Sequence, residues 1–389
     1  MNITPPHPPR RGPFHIVDLF AGPGGLDLAA EVLGIPSIGI EWDDGAVATR
    51  LAAGLRTEPG DVRLFGPGDA QFAECNVLAG GPPCQTFSIA GNGTGRKALD
   101  LVTGFIHRMH DWYKREKAGK TGETWEDIQR ALDKLDDERT GLVLQPLRWV
   151  FEAMLRPRHG GQTPQPFEVI VLEQVPAVIE VWHEYEKVLR AIGYDTAAKV
   201  FHTEQYGVPQ TRRRAVLVAR YGGPPARLPA PTRQLYRKGA SPTEYLFGRE
   251  SWVSMEDALK DVYERVPEAR RRTMPFCVVS NYGSGGDPKA RGRRESDKPS
   301  ATITGKWSRN RIVGVDSPET EMERLTQEEA GVFQSFPYRY PWRGKDQAQQ
   351  IGNAVPPWFG VHVLSAALDL GAPGDDVWER LLRWPEELD

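Results

Sequence analysis

Short apolar runs alternate along this chain with stretches of helical periodicity. Residues 15–20 (HIVDLF) form a run typical of a buried strand, and a glycine-rich turn separates them from a helix-like stretch at 26–33. Similar strand-type runs occur at 37–42, 76–81, 168–175, 199–202 and 215–220, with helical patterns at 46–55 and 178–192. Strands and helices that alternate in this order predict an α/β fold with a doubly wound, mainly parallel sheet.

Changes in composition indicate how the chain divides into domains. Gly-Gly-Pro-Pro begins at residue 222 and arginine-rich segments follow it, whereas globular sequence returns near 298. The segment at about 95–139 is polar, lysine-rich and helix-prone, which is typical of an insertion in a long connection. We expect four parts: a flexible N-terminal tail at 1–13, a large domain at 14–221 that contains this insertion, a smaller inserted domain at 222–297, and a return to the large domain at 298–389.

Charge is unevenly distributed along the 389 residues, of which 39% are hydrophobic and 26% are charged. A chain of this length and composition can bury a core in both domains. The formal net charge is −3, but residues 227–311 contain 18 Lys and Arg against 10 Asp and Glu. This local excess suits binding to a phosphate backbone, and it equally suits a solvated arginine-rich surface, so charge alone leaves both interpretations open.

Several protein classes are disfavoured by what the sequence lacks. No run approaches the ~18 to 20 apolar residues of a membrane span, and the Pro-rich start has no apolar signal core, so we expect a cytoplasmic protein. The three cysteines, Cys75, Cys84 and Cys277, cannot all pair and do not have a spacing suited to zinc. We therefore expect neither a disulfide framework nor a metal site.

The glycine turn at 20–25 is a candidate cofactor loop. Its small residues would let the backbone approach a ligand at the carboxyl edge of the sheet, although the turn alone is weak evidence. Glu41 follows about twenty residues later, where nucleotide-binding sheets place an acid for ribose hydroxyls. Trp42 could stack on an adenine, with ordinary packing as the alternative, and Asp69 could accept from its exocyclic amine. Together these residues suit an adenosine-containing cofactor.

Three later stretches carry side chains suited to catalysis. Cys84 lies on a proline-stiffened loop directly after a strand, where a nucleophile would be displayed; a buried structural thiol is the alternative. Glu173 ends another apolar strand, where burial would raise its pKa and let it donate a proton near neutral pH. The stretch 210–214 (QTRRR) suits binding of a base oxygen, a phosphate or a carboxylate, and a plain surface charge run is the alternative.

Taken in order, these stretches resemble the conserved blocks of the DNA cytosine-5 methyltransferase family. The resemblance covers most of the chain outside 222–297. Its six blocks are 18–25, 81–85, 173–175, 210–214, the pair 324–328 and 334–337, and 350–357. There are two departures. Gln174 stands where the family usually has Asn, and the stretch at 95–139 exceeds the usual spacer after the Pro-Cys motif.

The resemblance implies an S-adenosylmethionine-dependent methyltransferase (Rossmann-like) fold, with 222–297 as an inserted target recognition domain. Cys84 would add to C6 of a flipped-out cytosine, Glu173 would act on N3 and the exocyclic amine, and Arg214 would hold O2. Arg212 would support the loop rather than touch the base. The implied catalytic set is Cys84, Glu173, Arg214, Arg212, Gln210 and Pro83.

The resemblance also implies binding residues and partners. S-adenosylmethionine would be the cofactor and double-stranded DNA the substrate. A cognate restriction endonuclease is a candidate partner, a bacterium and a phage are both open as the source, and a monomer is the default expectation. The implied cofactor-binding residues are Phe20, Ala21, Gly22, Gly24, Gly25, Leu26, Glu41, Trp42, Asp69, Pro82, Asn353 and Val355. The candidates for DNA contact are Ser88, Arg291, Arg293, Arg294, Lys306 and Arg309.

Three other functions remain alternatives. The same catalytic residues would serve an enzyme that acts on RNA or transfers another group from a modified cofactor, but the basic insert favours duplex DNA. A non-catalytic DNA-binding relative is disfavoured because Cys84, Glu173 and Arg214 are all present. A dinucleotide-binding oxidoreductase would explain the glycine turn and Glu41, but it leaves the Pro-Pro-Cys motif and the block at 350–357 unexplained.

Overall fold

The computed structural model describes residues 14–83, 94–135, 139–161, 163–223, 225–239, 248–263, 266–280 and 292–384, so the predicted tail at 1–13 lies outside it. Within these residues the larger sheet contains β1 (Ile16–Leu19), β2 (Ser37–Glu41), β3 (Thr57–Pro59), β4 (Val77–Gly80), β5 (Val169–Gln174), β6 (Tyr194–His202) and β7 (Arg213–Tyr221). The strand order is β3-β2-β1-β4-β5-β7-β6. Strands β1 to β5 run parallel, whereas β7 is antiparallel to both β5 and β6. The predicted mainly parallel α/β sheet is confirmed, and among the seven described strands of this sheet only the short β3 has no counterpart in the prediction.

Helices cover both faces of this sheet, which explains why its central strands are apolar along their length. The helices are α1 (Gly25–Val32), α2 (Asp44–Ala52), α3 (Thr94–Lys117), α4 (Trp125–Leu132), α5 (Arg139–Leu142), α6 (Gln145–Leu155), α7 (Ile179–Ala191), α8 (Met255–Tyr263), α9 (Gln327–Phe333), α10 (Gln347–Asn353), α11 (Pro357–Ala367) and α12 (Asp375–Arg383). In β5, Val169 and Val171 belong to the core that contains α1 and α11. Ile170 and Leu172 belong to the core that contains α3, α6 and α7. Successive side chains of the strand thus anchor opposite helical layers.

The segment at 95–139 contributes to the hydrophobic core as well as to the surface. Most of it forms α3 and α4, which lie in the helical layer over one face of the sheet. One side of α3 is apolar at helical spacing, although its overall composition is polar. Its buried side chains include Val102, Phe105, Ile106, Met109, Trp112 and Tyr113. The segment therefore helps to cover the sheet, a role that its composition did not indicate.

A second, smaller sheet is antiparallel throughout. Its strands are β8 (Phe276–Val279), β9 (Arg293–Glu295), β10 (Arg311–Gly314) and β11 (Glu321–Met322), in the order β11-β10-β8-β9. Phe276, Val278 and Ile312 join the core shared with α1 and α11. The predicted boundary at 297 falls inside this sheet, because β10 and β11 follow it in the chain. In the described part of the chain no helix is both long and apolar enough to cross a bilayer.

Candidate active site

The loop between β1 and α1 has the backbone of a tight ligand-binding turn. Phe20, Gly22 and Gly24 all have positive φ angles, of 62°, 56° and 100°. A Cβ on Gly25 would collide with the carbonyl oxygen of Val355, so glycine is required there. A Cβ on Gly22 would meet no atom within 4 Å, so open space adjoins the backbone at that point. Ala21 and Leu26, the other predicted members of this loop, are buried.

Glu41 ties the end of β2 to this loop. Its Oε2 accepts a hydrogen bond from the backbone N–H of Gly22 at 2.7 Å, and its Oε1 accepts from those of Trp42 and Asp43 at 2.9 and 2.8 Å. Burial raises the pKa of the Glu41 carboxyl, and these N–H donors act in the opposite direction. The Trp42 ring is 65% exposed, so it does not pack in the core and can stack on a ligand. Asp69 accepts at 2.9 Å from a backbone N–H three residues before it.

A buried charged cluster lies beneath the loop, and its only signal in the sequence is an arginine in a predicted helix. Arg50 is fully buried and places Nη1 2.5 Å from Asp27 Oδ2, while its Nε donates to Thr57 Oγ1 at 3.0 Å. Asp27 Oδ1 accepts from Ser37 Oγ at 2.9 Å. Burial, and then the neighbouring Asp27, raise the pKa of Asp18 well above its usual range. The cluster joins β1, α1, β2 and α2 under the turn.

The block at 350–357 packs against the glycine turn at 20–25, although the two are far apart in the sequence. Gln350 in α10 accepts a hydrogen bond from Thr49 Oγ1 in α2 at 2.7 Å. Val355 follows α10 and lies against Gly25, as described above. The Asn353 side chain is exposed and accepts from the amide of a neighbouring glutamine at 2.8 Å. The structure thus brings the predicted cofactor residues at 20–26, 41–42 and 353–355 to one end of the sheet.

Glu173 and Arg214 form a buried ion pair. Glu173 lies near the end of β5 and Arg214 near the start of β7, and the antiparallel pairing of these strands brings the two together. Arg214 Nε is 2.6 Å from Glu173 Oε1. Burial raises the pKa of the Glu173 carboxyl, while Arg214 and then Arg212 counteract this increase. Glu173 can therefore supply a proton, and Arg214 a cationic hydrogen-bond donor, from neighbouring positions.

Arg212 and Gln210 anchor the block at 210–214 to the returning part of the chain. Arg212 is buried and donates at 3.0, 2.9 and 3.2 Å to the carbonyl oxygens of Ile303, Gly352 and Ala354. Gln210 Nε2 donates to Gln334 Oε1 at 2.8 Å. The hydrogen-bond partners of both side chains are backbone carbonyls and an amide of the returning part of the chain. This is the placement expected of residues that support the loop.

Pro82 and Pro83 lead from β4 toward Cys84, which lies outside the described residues. Gln174 Nε2 donates to the carbonyl oxygen of Pro82 at 2.8 Å, so the residue that departs from the usual Asn still holds this segment. A Cβ on the glycine before Pro82 would lie 3.7 Å from Glu173 Oε2. The chain therefore enters the predicted catalytic loop directly beside the ion pair.

The predicted DNA contacts occupy two places. Arg293 in β9 is exposed, whereas Arg294 is half-buried, donates to a backbone carbonyl at 3.0 Å and lies 4.5 Å from the Tyr236 ring centroid. Lys306 and Arg309 are exposed at the short turn before β10. Ser88 and Arg291 lie outside the described residues. The exposure of Arg293, Lys306 and Arg309 leaves them accessible to a polyanion, whereas Arg294 has internal partners.

A mainly parallel sheet with a glycine turn after β1 and an acid at the end of β2 is typical of the nucleotide-binding α/β class. The sequence model of the C-5 cytosine-specific DNA methylase family matches residues 14–108 and 165–367. The chain belongs to this family and is by class a DNA cytosine-5 methyltransferase. The resemblance inferred from the sequence is thereby confirmed, and residues 109–164 are the internal stretch that the family model leaves unmatched.

Individual relatives agree with this assignment. The chain is 25% identical over 382 residues to Type II methyltransferase M1.HphI of Haemophilus parahaemolyticus, covering 91% of this chain and 86% of that protein. It is 26% identical over 360 residues to Type II methyltransferase M.AplI of Arthrospira platensis, covering 88% and 82%. The solved S. pombe Dnmt2 methyltransferase is similar in fold, with a TM-score of 0.54 at 14% identity over 92% of this chain and 100% of that one. The methyltransferase fold predicted for the chain is confirmed.

Proposed function

We propose that this protein methylates carbon 5 of cytosine within a specific duplex DNA sequence, with S-adenosylmethionine as the methyl donor and Cys84 as the nucleophile. The observation that supports this most strongly is the Glu173–Arg214 ion pair, placed beside the segment that leads to Cys84. Addition of a thiol to a pyrimidine ring requires a proton donor and a fixed cation near the ring. Glu173 and Arg214 can supply these two groups.

The proposed reaction begins with a target cytosine turned out of the duplex. The Cys84 thiolate adds to C6, and the electron pair displaced from the C5–C6 double bond is delocalised through the ring. Glu173 donates a proton or hydrogen bond to N3, and Arg214 donates to O2, which stabilises the electron-rich ring. C5 then accepts the methyl group. Loss of the C5 proton to a base returns the electron pair to the ring and expels the Cys84 thiolate.

The cofactor would supply an electrophilic methyl group, and the residues at the glycine turn fit such a ligand. Open space adjoins Gly22, and the exposed Trp42 ring offers a surface for an adenine. Glu41 would face the ribose and Asp69 the adenine, with Phe20 and Pro82 along the same edge. Asn353 and Val355 would border the methionine end.

The DNA substrate and the cellular source are proposed from surface charge and from the relatives of the chain. Exposed arginines and lysines in the smaller sheet and near the turn at 306–309 would contact phosphates or bases, with 222–297 as the target recognition domain. The bacterial sources of the relatives named Type II methyltransferases favour a bacterial or phage enzyme. We propose that it acts in the cytoplasm as a monomer. A cognate restriction endonuclease would then recognise the same sequence.

The test is product analysis. The protein is incubated with mixed-sequence duplex DNA and S-adenosylmethionine, the DNA is digested, and its nucleosides are measured by mass spectrometry. The proposal predicts 5-methylcytosine with the wild-type protein and none with Cys84→Ser, whose hydroxyl is a far weaker nucleophile. Parallel incubations contain RNA in place of DNA. Modified cytosine in RNA alone, or a mass increase other than one methyl group, would contradict the proposed substrate or donor.

A further inference from the structure

The segment between β3 and β4 forms one edge of the proposed cofactor site. It begins beside Glu41, because Gly60 N donates to the Glu41 carbonyl oxygen at 2.8 Å. It then forms short 3-10 turns at Val62–Leu64 and Ala70–Phe72, with Asp69 immediately before the second turn. Such a segment lacks the long ladder of backbone hydrogen bonds that holds a strand or helix. Its shape therefore depends on what it packs against.

A single side chain of α6 bridges two carbonyl groups of this segment. Arg148 Nη2 donates to the carbonyl oxygens of Val62 at 2.9 Å and Phe65 at 2.7 Å. These two acceptors lie within and just after the first turn, three residues apart. The two hydrogens of Nη2 serve one acceptor each, and Nε and Nη1 remain for other partners, which the single nitrogen of a lysine ammonium cannot match.

The Arg148 guanidinium is itself held in place. The residue is 5% exposed, its Nε donates to Gln145 Oε1 at 2.7 Å, and its Nη1 lies 3.1 Å from both carboxylate oxygens of Glu152. Trp149, the next residue, makes an edge-to-face contact with Phe72, with ring centroids 5.3 Å apart. The segment is thus fixed to α6 at both of its turns.

Helix α6 (Gln145–Leu155) lies within residues 109–164, which the family model does not match. We propose that Arg148 is a positioning residue for the adenine side of the cofactor site. It fixes the carbonyls of Val62 and Phe65, and thereby the path of the chain to Asp69. The inference rests on the proposed use of S-adenosylmethionine, and it assigns a role in cofactor affinity to a part of the chain outside the family blocks.

The test compares the full-length wild-type protein with Arg148→Met, Arg148→Lys and the control Arg63→Met. Arg63 lies on the same segment but pairs with Asp61. Calorimetry measures the Kd for S-adenosylmethionine and S-adenosylhomocysteine, circular dichroism the Tm, and gel shift the affinity for duplex DNA. We expect Arg148→Met to raise both cofactor Kd values about tenfold or more, because misplacement of a binding edge by about 1 Å has effects of this size. Arg148→Lys should give a smaller increase with a Tm near wild type, and Arg63→Met should bind normally.

Each outcome decides between supporting and overturning the inference. Wild-type cofactor affinity in both Arg148 variants overturns it, and so does an equal loss of cofactor affinity in Arg63→Met. Loss of DNA affinity in proportion to cofactor affinity would indicate general disorder and would also overturn it. If Arg148→Met does not fold, Arg148→Lys decides. If the wild-type protein binds neither compound, the proposed function fails. If the wild type and both Arg148 variants bind normally, the proposed function stands and only the inference about Arg148 fails.

Discussion

Replacing Glu204 with glutamine should make the stability of the protein less dependent on pH. Glu204 lies in the 3-10 turn after β6 and is 1% exposed. Its Oε1 is 3.5 Å from His202 Nδ1, and its Oε2 has no hydrogen-bond partner among the described residues. Burial raises the pKa of this carboxyl to about 7, although backbone N–H donors and the more distant Arg294 and Arg213 oppose the increase.

The sign and size of the effect follow from proton linkage. The folded protein holds the Glu204 proton up to a pH of about 7, whereas the unfolded chain releases it near the usual value of 4.5. Stability is therefore unaffected below about pH 4.5, decreases as the pH rises toward 7, and stays reduced above it. At about 1.4 kcal/mol for each pH unit between the two values, the full penalty is about 3 kcal/mol. Glutamine resembles the protonated acid and carries no such penalty.

Urea unfolding at pH 5, 6, 7 and 8.5 measures this difference. We expect Glu204→Gln to exceed the wild type by less than about 1 kcal/mol at pH 5 and by up to about 3 kcal/mol at pH 8.5. The control is Glu319→Gln, an exposed position that should leave the pH dependence unchanged. An equal loss of stability between pH 5 and 8.5 in wild type and Glu204→Gln would refute the reasoning. The result bears on the site because Thr203, the preceding residue, bonds to the backbone of Gln210 and Arg212.

Three further predictions concern the site and its support. Gln174→Leu removes the hydrogen bond to Pro82, so we expect about a tenfold slower methyl transfer in a single turnover with unchanged cofactor Kd; an unchanged rate would contradict this. Glu173→Gln should reduce kcat by about 10²-fold or more while S-adenosylmethionine still binds, and activity near wild type would exclude Glu173 as the proton donor. Arg272→Met leaves Glu329 buried without its partner at 2.6 Å, so urea unfolding should show a loss of about 3 to 5 kcal/mol.

The sequence predicted the fold and the position of the site because both depend on local patterns. Apolar runs identified six of the seven strands of the larger sheet, and the residues that follow parallel strands must meet at one edge. This is why the sequence alone places Glu41 and the glycine turn together. The antiparallel direction of β7 could not be predicted from such patterns. The period of two in β6 and β7 is identical for parallel and antiparallel strands.

Other features could not be read from the sequence because they depend on tertiary contacts. Arg50 and Arg148 look like ordinary helix residues, and only packing shows that each is buried against specific oxygens. For α3 a signal was present, since apolar residues recur at Val102, Phe105, Ile106 and Met109. The polar composition of the whole segment at 95–139 obscured this stripe. A helical wheel of α3 would have predicted its contribution to the core.

A covalent bond between Cys84 Sγ and cytosine C6 is the step on which the proposed reaction depends, and it can be observed directly. Duplex DNA that contains 5-fluorocytosine carries fluorine in place of the C5 proton, so the final elimination cannot occur and the adduct persists. With S-adenosylmethionine present, the wild-type protein should form a denaturation-resistant complex with this DNA, and peptide mass mapping should locate the bond at Cys84. Cys84→Ser should form none. An adduct at another residue, or methylation of ordinary DNA by Cys84→Ser, would contradict the assignment.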